Sequence, residues 1–153
     1  MSKITFLASS KPLKIPEEIH EYSQRTGFEN EKDYMFFSVH EVAEGWLQEV
    51  QGLFSLPYIY EAEGVGNRLF LTYLEKYMET GEVLEIYSVP NQHAFLSYKK
   101  KVQEKPEPIE MNTGSYTYRD LSGLYQLNPK KWVEELSHRN YITQHGVTSF
   151  VKY

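Results

Sequence analysis

Residues 67–89 read NRLFLTYLEKYMETGEVLEIYSV, and the fold reading starts from this stretch. Leu69, Phe70, Tyr73, Leu74, Tyr77 and Met78 recur at the spacing that places apolar side chains on one face of an α-helix. Asn67 suits the N-cap, where its side-chain oxygen accepts an orphan N–H, and Gly81 suits the residue just past the helix end. A helix is therefore expected from about residue 67 to residue 80. Val83–Val89 follows as a strand, and Pro90 stops it.

Toward the N-terminus, Lys3–Ser9 reads as a strand, and Pro16-Glu17-Glu18 opens a helix with Ile15, Ile19 and Tyr22 as its apolar stripe. Tyr34–Val42 alternates with period two: Met35, Phe37 and Val39 share one face, while Tyr34, Phe36, Ser38 and His40 share the other. Trp46, Leu47, Val50, Leu53 and Phe54 then predict a helix over roughly residues 43–54, followed by a short strand at Leu56–Glu61. Toward the C-terminus, Asn91 caps a shorter helix carrying Phe95, Tyr98 and Val102. Lys99–Pro108 is charged and proline-containing, the most linker-like stretch. Ser115–Arg119 and Leu124–Leu127 read as arms of a hairpin turning at Asp120–Gly123. Asn128-Pro129 predicts the start of a helix that buries Trp132, Val133 and Leu136. Tyr141–Tyr153 is strand-like but broken at His145-Gly146.

Together these elements predict an α+β fold in a single domain over residues 1–153, with a mixed, largely antiparallel sheet packed with about four to five helices. The possible linker at 99–108 precedes a C-terminal hairpin, helix and strand unit. The regular strand–helix alternation offers α/β with a mostly parallel sheet as the alternative.

The chain's 153 residues fit one ordinary domain. Without cysteine, disulfides, thiolate zinc sites, iron–sulfur clusters and a cysteine nucleophile are excluded. No stretch approaches the roughly 20 apolar residues of a membrane span. Ile4–Ala8 is too short for the apolar core of a secretory signal, so a soluble, cytoplasmic protein with no membrane partner is expected. The formal net charge is −5, and residues 28–66 hold eight acids against one lysine. That acidic middle disfavours nucleic acid as a partner, because phosphate contacts need clustered Lys and Arg. Tyrosine stands out at 13 residues, a ring with a polar handle that suits half-buried sheet faces and interfaces.

The best local constellation for a ligand is Glu63-Gly64-Val65-Gly66-Asn67-Arg68, just before the strongest helix. Gly64 and Gly66 let backbone N–H groups turn toward an anion, Asn67 opens the helix, and Arg68 offers a bidentate clamp. The stretch is neither a dinucleotide fingerprint nor a P-loop, and Glu61 and Glu63 repel anions, so a tight turn is its plainer meaning. His93, just past a strand end, is the remaining candidate ligand residue. His40-Glu41-Val42-Ala43-Glu44 lacks the second histidine of a zincin helix, so no metal site is expected, and no cofactor motif is present. No catalytic residues can be named. The sequence leaves open whether the protein is an enzyme. Its leading reading is a non-enzymatic protein- or small-ligand-binding domain, partnered by itself as a homo-oligomer or by another protein. The alternative is an enzyme or binder acting on an anionic, phosphate-bearing small molecule at the Gly64–Arg68 turn.

Overall fold

The structure, a computed structural model, describes residues 4–13, 38–42, 50, 54–65, 68–89, 95–104, 106–138, 141–142 and 146–153. Eight strands form one sheet: β1 (Ile4–Ser9), β2 (Ser38–Glu41), β3 (Tyr58–Glu63), β4 (Val83–Val89), β5 (Ile109–Asn112), β6 (Thr117–Asp120), β7 (Gly123–Gln126) and β8 (Thr148–Val151). Their order is β2-β3-β1-β4-β8-β5-β6-β7. Three helices lie among the described residues: α1 (Arg68–Tyr77), α2 (Phe95–Glu104) and α3 (Trp132–Ser137).

The expectation of four to five helices is thus corrected to three over the described residues, of which only α1 and α2 exceed six residues. The physical reason lies in the C-terminal half, where short strands joined by tight turns extend the sheet and leave little chain for helices. The mostly parallel alternative is also overturned, because β5–β8 is the sole parallel pair recorded in this sheet and the other six are antiparallel. The helix expected from Pro16 lies outside the described residues, as does all but Val50 and Phe54 of that expected over 43–54. Both of these are buried. The α2 helix takes in residues 99–104 of the linker-like stretch. Asn128-Pro129 does not start α3: Asn128 Oδ1 instead accepts the Lys130 N–H at 2.9 Å, holding a turn that delays the helix to Trp132.

Period-two alternation gives the central strands two dry faces. On one, Leu7, Leu84, Ile86, Ile109, Met111, Tyr118 and Phe150 meet α1 and α3 in the larger core. On the other, Phe6, Ala8, Tyr87 and Val89 meet Val50, Phe54 and Val102 of α2. Register on the first face aligns Tyr58, Ser9, Leu84, Phe150, Met111, Tyr118 and Tyr125 across seven strands. On the second face, the row Ile59, Ala8, Glu85, Ser149, Glu110, Arg119 and Leu124 turns polar beyond β1. The helical cover on that side therefore serves only the N-terminal half of the sheet.

The α1 helix forms as its sequence requires, with Leu69, Phe70, Leu71, Tyr73 and Leu74 buried. Each such side chain contributes roughly 1.5–3 kcal/mol relative to exposure. Gly81 stops the chain at φ 94°, a left-handed conformation that costs glycine little, and its N–H donates to the Lys152 carbonyl at 2.8 Å. Leu74 is fully buried, so Leu74→Ala should cost about 2–5 kcal/mol in urea unfolding. A loss near zero would show that α1 does not anchor the core.

Two core tyrosines make stability pH-dependent on the alkaline side. Burial pushes the phenols of Tyr73 and Tyr87 up to about 12, whereas an unfolded chain ionises them near pH 10. Below about pH 10 both states keep these protons; above it the unfolded chain gives them up first. Stability should therefore be level up to about pH 10 and fall between about pH 10 and 12. Tyrosinate absorbance followed together with circular dichroism checks this, and ionisation of all the tyrosines near pH 10 with the fold intact would refute it.

Candidate functional site

The site is assembled around the turn that joins β5 to β6. Asn112 ends β5, and its Oδ1 accepts N–H bonds from Gly114 at 2.9 Å, Ser115 at 3.2 Å and Tyr153 at 3.3 Å. One side chain thereby ties the turn to the chain beyond β8. Thr113 is buried; its N–H donates to the Val151 carbonyl at 2.8 Å, and its hydroxyl donates to the same carbonyl at 3.3 Å. Glycine is required at 114, because a Cβ there would collide with the Tyr153 backbone. Tyr116 then adopts φ 59°, a left-handed conformation disfavoured for a bulky side chain. Its carbonyl accepts the Leu127 N–H at 2.7 Å and Gln126 Nε2 at 3.1 Å, which hold it there.

Facing this turn is the C-terminal end of α1. Lys152 Nζ donates to the Met78 carbonyl at 2.9 Å, placing a cation where the helix leaves its last carbonyls unsatisfied. Between the turn and the helix opens a groove of about 290 Å³. Leu74 and Glu75 of α1 and Thr80 beyond it form one wall; Thr113, Gly114 and Tyr116 line it from the turn, and Trp132, Lys152 and Tyr153 complete it. Trp132 is buried, whereas Tyr153 is largely exposed. The groove so combines aromatic rings with an acid, a cation and hydroxyls, a lining that holds a small molecule by its faces and edges.

Of the residues expected to bind an anion, Gly64 and Arg68 lie at the opposite end of α1. Gly64 closes β3 at φ 81°, and Arg68 is the exposed first residue of the helix. Between them, the Val65 carbonyl accepts the Tyr141 hydroxyl at 2.6 Å in the core, and burial raises that phenol's pKa. Gly66, Asn67 and His93 lie outside the described residues. His40 Nε2 stands 3.4 Å from Glu61 across β2 and β3. Among the described residues no group of three or more His, Asp or Glu is placed to hold a metal ion, and no helix is long and apolar enough to cross a membrane.

Comparison with known protein families, curated proteins and solved structures finds no match for this chain. The groove residues were not singled out by sequence reasoning, which used Trp132 and Leu74 as core and assigned nothing to Thr113-Gly114. The available signal was the Asn112-Thr113-Gly114 run between two strands, a composition that marks a tight turn.

The strain at Tyr116 can be measured. Tyr116→Ala loses the ring and keeps the left-handed penalty, whereas Tyr116→Gly loses the ring and relieves it. The glycine variant should be the more stable of the two by about 1 kcal/mol. Equal stabilities in thermal unfolding would show that the position is unstrained.

Proposed function

We propose that this domain binds a small polar ligand in the groove at the C-terminal end of α1, without performing chemistry on it. The observation that carries the reading is the left-handed Tyr116, held by main-chain and Gln126 bonds and facing the groove. Backbone strain kept in place by its surroundings clusters at ligand sites, because it fixes a side chain before the ligand arrives. The charged and hydroxyl groups support binding. Of the three N–H donors of Lys152, the Met78 carbonyl takes one, which leaves two for a ligand among the described residues. Glu75 stands on α1 and Thr80 in the turn beyond it, both lining the groove. The hydroxyl of Thr113 is engaged with the fold itself, which favours a fixed cradle over a reactive centre.

Thermal shift against free amino acids, monosaccharides, nucleosides and sugar phosphates tests this. One class should raise the melting temperature, since a ligand at about 100 times its Kd adds about 2.7 kcal/mol of stability. Lys152→Met and Tyr116→Gly should remove the shift, and Arg68→Ala should keep it. The reverse pattern would move the ligand to the Gly64–Arg68 turn, and the absence of any shift would defeat the reading.

A further inference from the structure

The groove beside α1 holds one acid and one base that do not satisfy each other. Glu75 and Lys152 both line it, and among the described residues no ion pair engages either of them. Position explains why Glu75 stays unpaired. Its helical neighbours three and four residues away are Leu71, Thr72, Met78 and Glu79, none of them a cation, and the adjacent Lys76 does not face it. Lys152 is held elsewhere, its Nζ donating to the Met78 carbonyl at 2.9 Å. The Met78 N–H donates to the Leu74 carbonyl at 3.1 Å, so the helical path runs on to residue 78. Residues 75 and 78 are thus about 4.5 Å apart along the axis, and helical side chains lean toward the N-terminus. The carboxylate and the ammonium are therefore staggered along one wall.

We infer that the ligand of this groove is a zwitterion, a free α-amino acid, whose ammonium meets Glu75 and whose carboxylate meets Lys152. The inference rests on the groove being a ligand site and adds the chemical class that fills it. A ligand settling over this wall takes both charges out of water, and each loses hydration that an opposite charge best replaces. A neutral sugar or nucleoside gives neither charge a counterion. A sugar phosphate serves Lys152 but brings a dianion beside Glu75, and toward a chain of net charge −5. An α-amino acid joins one charge of each sign through a single carbon and carries no net charge. It satisfies both groups with charge-assisted hydrogen bonds and incurs neither penalty.

Size and lining agree with that class. At about 290 Å³ the groove sits at the small end of ligand sites, which run from about 300 to about 1,000 Å³. Besides the two charges, Leu74, Tyr116, Trp132 and Tyr153 give it an apolar and aromatic lining, suited to an apolar side chain on the ligand.

Isothermal titration calorimetry on the full chain tests this with leucine, phenylalanine and tyrosine, the N-acetyl and amide forms of each, glucose and adenosine. A free amino acid should bind, and removing either of its charges should weaken it about tenfold or more, as loss of a charged hydrogen bond does. Glu75→Gln keeps the side-chain shape at an exposed position. It should weaken the free amino acid by a similar factor and leave the weaker binding of the N-acetyl form unchanged, because that form no longer uses the carboxylate. Equal affinity for the free, N-acetyl and amide forms, or indifference of the free amino acid to Glu75→Gln, would overturn the inference. Binding of glucose or adenosine in place of the amino acids, lost in Tyr116→Gly, would overturn it while keeping the groove as the ligand site. Silence from every probe would defeat both.

Discussion

Everything in this sheet depends on where β8 is inserted. It lies between β4, to which it runs antiparallel, and β5, to which it runs parallel. Remove it and the sheet separates into β2-β3-β1-β4 and β5-β6-β7. Its side chains fit that position: Phe150 packs edge-on against Phe70 of α1, with ring centroids 5.5 Å apart, and against Tyr141 at 5.6 Å. Thr148 is fully buried, and its hydroxyl donates to the Tyr141 carbonyl at 2.5 Å. A buried hydroxyl left without such a partner costs more than the bond itself contributes. The strand is therefore fixed in register as well as in place.

The groove inherits its shape from the same strand. Lys152 and Tyr153 follow β8 directly, and what they bond to belongs to other parts of the chain: Met78 beyond α1 and Asn112 at the end of β5. The Thr113 N–H donates to the Val151 carbonyl, so the turn carrying Tyr116 is hung from β8 as well. Each wall of the groove is thus tied to one strand end. A site built this way owes its geometry to the tertiary fold, which explains how a left-handed Tyr116 persists: relaxing it would break bonds to Gln126 and Leu127.

What could be read from the sequence follows from how local the cause was. The α1 stripe and the β6–β7 hairpin are legible because their signals, helical spacing and a turn flanked by strand residues, sit within a few residues of one another. The β5 strand is not. Its four residues, IEMN, follow a charged proline-containing run, and only Ile109 and Met111 report a buried face. They become a strand by pairing with β8, far along the chain, which no local pattern reveals. The same holds for Asn128: its side chain has the right chemistry for a cap but is spent on the Lys130 N–H. The groove was hidden for a further reason, since its lining comes from separate segments and includes Gly114, chosen for the space that Tyr153 leaves.

The two faces of the sheet also explain why the molecule is asymmetric about β8. On the β1 side both faces are apolar, and helices cover each of them. Beyond β8 only the α1 and α3 face stays dry, while Glu110 and Arg119 on the other are exposed and opposite each other in register. An antiparallel sheet tolerates one wet face, whereas strands buried on both faces need cover. The β5–β7 extension therefore stands with little chain behind it. This is why the chain manages eight strands with so few helices among the described residues, and why Leu121 and Leu124 of the hairpin at the far edge remain exposed.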